Sequence, residues 1–189
     1  MRTTSLVIGI SVLAVSSAAL AGKLENRNFE KEFEVINDVT HWGSEGEVFG
    51  SCRAVKAGDE GQPAKAADGE RCVVIDVPTN SWSGLWQQTT TSPKRPYVWK
   101  ARHLIQGGSL PDTVATFMKV EFFDDKDQFL SAAEGEWLRL DTKGQWIEKT
   151  MKGTTPDRTK KIRFVITAGD NAESAEVVNR IYWDSTSAQ

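Results

Sequence analysis

Short runs of β-branched and aromatic residues recur along the chain, separated by clusters of glycine, proline, asparagine and aspartate. GEVFGSCRAV, RCVVIDV, PYVWKARHLI, TVATFMKVEFF, EWLRL, QWIEKTMKG, KKIRFVITA and EVVNRIYWD have the composition of strands. AGDEGQPAKAADGE, TSPKRP, QGGSLPD, DDKDQ, DTKG, TTPD and AGDNAES have that of the turns between them. In KKIRFVITA a two-residue period sends Ile162, Phe164 and Ile166 to one side and Arg163, Val165 and Thr167 to the other. TVATFMKVEFF sets Val114, Thr116, Met118, Val120 and Phe122 against Ala115, Phe117, Lys119, Glu121 and Phe123. A second face mixing phenylalanine, lysine and glutamate suits a sheet that meets a ligand. NSWSGLWQQ, if extended, puts Trp82, Gly84, Trp86 and Gln88 on one face and Ser83, Leu85 and Gln87 on the other. No long stretch has a helical period. About eight strands joined by short turns predict an all-β fold, an antiparallel β-sandwich in one domain.

The N-terminus adds a compartment. Met1-Arg2, the apolar LVIGISVLAV and then Ala19-Leu20-Ala21 read as a secretory signal peptide over residues 1–21, cleaved after Ala21. A secreted or periplasmic protein is expected, with residues 22–189 as its single domain. No other stretch approaches the roughly 18 apolar residues of a membrane span. Without the leader, 22 basic and 26 acidic residues are interspersed along the chain. Such a balance argues against nucleic acid or an anionic membrane as partner. RTKK, at 158–161, reads as the solvated start of a strand. Two cysteines in an exported chain, Cys52 and Cys72, predict a disulfide that stabilises by about 3 kcal/mol. The protein is expected to be a monomer.

A more specific pattern begins at LENRNFE. Leu24, Asn26, Phe29 and Glu30, followed by Trp42-Gly43, resemble the opening of the CenC-like carbohydrate-binding modules (families 4, 9 and 22), which are galactose-binding-like jelly rolls. The likeness continues through GERCVVIDV, the Trp82–Gln88 segment, PYVWKAR, FFDDKDQFL, Trp146 and the terminal IYWD. Each motif is weak alone; their order and spacing along the chain carry the resemblance.

The resemblance implies a jelly roll, a polysaccharide or oligosaccharide partner, and one structural calcium tying the chain ends together. Glu30 and Asp184 fall on the family's Glu and terminal Asp ligands, and Asp68 is the candidate from the loop before GERC. Calcium takes hard oxygen ligands, so residues far apart in sequence can share one ion. DDKDQ lacks the glycine and glutamate of an EF-hand loop and reads as a hairpin turn. Trp82 takes the family's platform position, where a sugar's C–H face packs on the indole while its hydroxyls seek amide, carboxylate or guanidinium partners. Gln87, Gln88, Arg102, Lys119, Glu121 and Arg163 could supply these. Leu85 stands where the family has a polar ligand contact, a departure. Trp86 falls on a core position, as do Trp42 and Trp146, and Trp183 beside Ile181 is expected in the core. Trp99 and Trp137 are open between core and surface.

Jelly rolls also include lyases and glycoside hydrolases, so catalysis competes. Neither a Gln-x-His strand nor a Tyr-Lys-x-Gly-x-Tyr strand is present. His41, in a loop, and His103, in a strand beside Arg102, read as surface or satisfied structural residues. Glu121, Glu134 and Glu136 are available, but no spacing marks a catalytic pair. There is no G-x-S-x-G, P-loop or zinc motif. The expectation is a non-catalytic sugar-binding protein. The alternative is a structural or interaction sandwich of the cell envelope, because 168 residues leave no room for the catalytic domain such modules usually accompany.

Overall fold

In the computed structural model, residues 24–31, 42–46, 52–173 and 178–189 are described, with the backbone alone for 44–46. The leader segment 1–21 and His41 lie outside the described residues. The period-two runs pair into antiparallel strands: β1 (Gly43–Gly46), β2 (Cys52–Lys56), β3 (Arg71–Asp76), β4 (Ser81–Thr90) and β5 (Pro96–Leu104), then β6 (Val114–Phe123), β7 (Phe129–Glu134), β8 (Ile147–Thr154), β9 (Lys161–Asp170) and β10 (Arg180–Ala188). One five-stranded sheet has the order β1-β4-β9-β6-β7 and the other β2-β3-β10-β5-β8. Apart from the β2–β3 and β6–β7 hairpins, successive strands lie in opposite sheets. The all-β sandwich expected from the strand pattern is the fold observed.

The core is the space between the sheets, filled by the apolar phase of each strand. Ile162, Phe164 and Ile166 of β9, Val120 and Phe122 of β6, Trp99 of β5 and Trp183 of β10 meet there. Trp99 packs on Phe164 with ring centroids 5.5 Å apart, and Tyr97 on Phe122 at 5.8 Å. Such tilted pairs add about 1 kcal/mol each beyond the area they bury. The N-terminal turn plugs one opening: Leu24 and Phe29 are buried, and Phe29 rests on Trp42 at 5.3 Å. A second, smaller cluster of Cys72, Val74, Leu104 and Tyr182 lies on the outer face of the second sheet, with Trp146 packed against it. The 57–70 loop lies over it, where Lys65 carbonyl accepts from the Trp146 indole at 2.9 Å and Gly61 carbonyl from the Tyr182 hydroxyl at 3.3 Å.

The EWLRL strand and the disulfide are not found. EWLRL is not a strand: Leu138 is buried in the core while the backbone crosses between sheets, Leu138 N–H donating to Thr116 and Arg139 carbonyl accepting from Leu110. The hairpin expected at DDKDQ is present, joining β6 to β7. No disulfide joins Cys52 and Cys72. In the β2–β3 register Cys52 lies opposite Ile75 and Cys72 opposite Val55. This register puts Cys52 in the inner core and Cys72 in the outer cluster, so their side chains leave opposite faces of the sheet.

Candidate functional site

The outward face of the first sheet collects the second phase of its strands. Pairing places Trp82 beside Gly169, Trp86 beside Val165 and Gln88 beside Arg163, while Lys119 meets Val165 and Glu121 meets Arg163 across β6–β9. Trp82, Trp86, Gln88, Arg163, Phe117, Lys119 and Glu121 therefore share one face. Five of the seven candidate sugar contacts read from the sequence, Trp82, Gln88, Lys119, Glu121 and Arg163, are brought together there.

The polar groups of this face are linked. Lys119 Nζ lies 2.8 Å from Glu121 Oε1, Arg163 donates to Glu121 Oε2 at 3.4 Å, and Arg163 Nε donates to Gln88 Oε1 at 3.3 Å. The Arg163 guanidinium also lies 4.2 Å from the centroid of Trp86 and 4.6 Å from that of Phe123. Contact with two aromatic rings and hydrogen bonds to Glu121 and Gln88 hold the guanidinium in place. Trp86 is thus neither core nor open platform. Its indole runs over Gly43, where a Cβ would come within 2.5 Å of the ring, and Arg163 covers it from the sheet.

Trp82 is left as the platform. It is 40% exposed, with the Lys119 ammonium 5.5 Å from its ring centroid. It stands at a groove of about 400 Å3 lined with Asn80, Ser81, Phe117, Lys119, Thr167 and Asn171. Gly169 floors the groove, since a Cβ there would sit 2.7 Å from Ser81 carbonyl and 2.9 Å from Trp82 Cβ. One aromatic plate bordered by amide, hydroxyl and ammonium groups can hold a ligand with an apolar face and hydroxyl edges.

Leu85 points into the core at 1% exposure. A polar side chain at that position would not reach the outward face, where Gln88 and Asn171 carry amides. Gln87 also points inward: its side-chain carbonyl accepts from Glu25 N–H at 3.0 Å and its amide donates to Glu25 carbonyl, which anchors the N-terminal turn. Arg102 lies on the outer face of the other sheet, between Glu148 and the carbonyl of Ala67. Phe117 was on the face that alternation marked, whereas Asn80 and Asn171 were missed, because they lie outside the strands where only the fold sets their position.

The carboxylates expected at calcium meet the same loop. Asp184, fully buried, accepts from the N–H groups of Ala67 at 2.7 Å, Asp68 at 2.9 Å and Ser185 at 2.6 Å. Glu30 Oε1 accepts from Glu70 and Arg71 N–H at 2.8 and 2.7 Å. Burial pushes the Asp184 carboxyl up to about 7, and the charge of Asp68 adds to the rise. Burial, with the charges of Asp184 and Glu30 adding to it, pushes the Cys72 thiol up to about 12. In charge the region suits a hard cation. In donors it is only partly built, because backbone N–H groups hold the carboxylates and no group of three His, Cys, Asp or Glu side chains is placed to hold a metal among the described residues.

No protein-family model matches the sequence, and no curated protein matches it. Solved structures do. TmCBM61, determined with β-1,4-galactotriose, superposes with a TM-score of 0.56 at 14% identity over 88% of this chain and 96% of its own. The CBM22-1 xylan-binding domain of Paenibacillus barcinonensis Xyn10C gives 0.55 at 10% identity over 86% and 90%. The CBM22-1–GH10 modules of Clostridium thermocellum Xyn10B, complexed with xylohexaose, give 0.56 at 14% identity over 88% of this chain and 28% of that one. The fold of this chain is that of the carbohydrate-binding-module β-sandwiches.

Proposed function

We propose that the protein binds a polysaccharide or oligosaccharide, without catalysing its cleavage, on the outward face of the β1-β4-β9-β6-β7 sheet. The observation that carries this reading is Trp82, a half-open indole on a sheet face, flanked by a groove with hydrogen-bonding side chains on its rim. A sugar ring stacks on Trp82. Asn80, Asn171, Thr167 and Lys119 exchange hydrogen bonds with its hydroxyls, and the Arg163–Glu121–Gln88 network closes the end of the groove beside Trp86. With one open platform, affinity is modest, since protein hydrogen bonds to sugar replace equally good ones to water. The fold shared with modules solved with galactotriose and xylohexaose supports the choice of those two sugars as first probes.

Affinity electrophoresis of the full chain in gels containing galactan, xylan, β-glucan, alginate or mannan tests the reading. Retardation by at least one glycan is expected, and Trp82→Ala should reduce the affinity roughly ten- to hundredfold. No retardation in any gel overturns sugar binding and leaves the structural, cell-envelope reading.

Export belongs to the same reading: the leader is removed after Ala21, which the intact mass of the exported protein reads directly. A calcium ion at Glu30, Asp184 and Asp68 would offset the negative charge concentrated there and fix the N-terminal turn to β10. Calorimetric melting should then show a higher midpoint with calcium than with chelator; equal midpoints overturn the ion.

A further inference from the structure

Between β7 and β8 the chain crosses from the edge of one sheet to the edge of the other. Both ends of this crossing are pinned: Gly135 and Leu138 N–H donate to the carbonyls of Met118 and Thr116, and Thr142 exchanges hydrogen bonds with the backbone of Ile105. Beneath the crossing lies a pocket of about 440 Å3, within the 300–1,000 Å3 that small-molecule sites occupy. Three large apolar side chains stay exposed around it: Trp137 at 52%, Leu140 at 78% and Ile147 at 37%.

His103 lines the same pocket from below, 4% exposed, and its Nδ1 is buried with no hydrogen-bond partner among the described residues. A buried polar atom left unpaired costs stability, so such an atom at a pocket marks a place for a ligand group. Burial lowers the imidazole to about 4, and the backbone of Ile147 hydrogen-bonds it. At neutral pH it is uncharged, and a hydroxyl that reached the buried Nδ1 would supply the partner it lacks.

Two of the charged pairs around the pocket are closed, and the remaining two charges, Asp141 and Lys143, are of opposite sign. Glu136 pairs with Lys149, Arg139 with Asp112 at 3.0 Å and the carbonyl of Val114 at 3.0 Å, and Asp141 caps the N–H of Lys143 at 2.7 Å. Arg139 also lies on the Trp137 ring, 4.7 Å from its centroid. The pocket offers an indole surface, a neutral nitrogen and rim charges of both signs, Asp141 and Lys143 among them, a set that suits a neutral ligand with a C–H face and hydroxyls.

We propose that this pocket is a second binding site, for a neutral mono- or disaccharide, with Trp137 as its platform and His103 Nδ1 as a hydroxyl partner. The inference does not depend on the Trp82 face. Indole N–H resonances of the full chain carrying Trp82→Ala would be followed by NMR during titration with the methyl glycosides of galactose, glucose, mannose and xylose, and with galacturonate. At least one neutral glycoside should shift the Trp137 signal saturably at millimolar concentration. Trp137→Ala, an exposed position, should keep the melting midpoint and weaken that binding, followed at neighbouring backbone signals, about tenfold or more. No saturable shift with any neutral glycoside overturns the site, and a shift with galacturonate alone overturns its assignment to neutral sugars. Failure of the Trp82 electrophoresis leaves this outcome untouched.

Discussion

Leu85 and Trp86 show how one residue of phase decides a role. Laid without a gap on the family pattern, Leu85 falls on a ligand position and Trp86 on a core one. Alternation says the reverse, and the structure follows alternation, with Leu85 at 1% exposure and Trp86 under Arg163. Side-chain direction in a strand is fixed by the pleat, so the backbone outranks a weak motif. The same rule settles the cysteines. Cys52 and Cys72 belong to opposite faces of one sheet, and an even cysteine count carries no information about faces. The prediction at this scale is chemical. Denatured without reductant, the protein should titrate as two free thiols. In the native state neither should react, because both are buried and the Cys72 thiol is pushed up to about 12. A thiol count of zero after denaturation would show a disulfide and refute the register.

At the scale of elements, the strands were legible because each carries its own period. The crossing at 135–146 was not. EWLRL has the composition of a strand but packs by one leucine, and its hydrogen bonds go to carbonyls and N–H groups around the sandwich opening rather than to a ladder. The long loop before β3 was legible only as a break, whereas its function as a clasp depends on Glu30 and Asp184, which approach it from opposite ends of the chain. Gly69 sits at the tightest point of that clasp, with φ +76° and a Cβ position 2.3 Å from Glu30 Oε1. Gly69→Ala must strain the turn and expel the Glu30 carboxylate, at a cost of about 1–3 kcal/mol. Urea unfolding should register this as a lower midpoint with an unchanged slope, while Gly107→Ala, also at positive φ but with open space around its Cβ position, should cost less.

For the whole molecule, the sandwich and the sign of its surface charge were readable from the sequence. Which polar residues share a face with Trp82 was readable only in part, because Arg102 and Lys119 look alike until the topology assigns them to different sheets. Two buried titratable groups give the folded protein a pH response of opposing parts. His103 falls from 6.5 to about 4 on folding, so between those values the unfolded chain binds more protons, and stability present above pH 6.5 is lost on acidification, by about 3 kcal/mol in full. Asp184 rises from 3.8 to about 7, so the native state holds its proton more tightly, and the stability this gives is present at low pH and lost as pH rises through 7. The windows overlap between pH 4 and 6.5, and the wild-type profile in the presence of chelator should be shallow there. Removing one group exposes the other. His103→Gln should leave a protein whose stability falls as pH rises across this window, and Asp184→Asn one whose stability falls as pH drops. Urea titrations at stepwise pH separate these cases; parallel profiles for the two variants would mean that neither group carries the burial assigned to it.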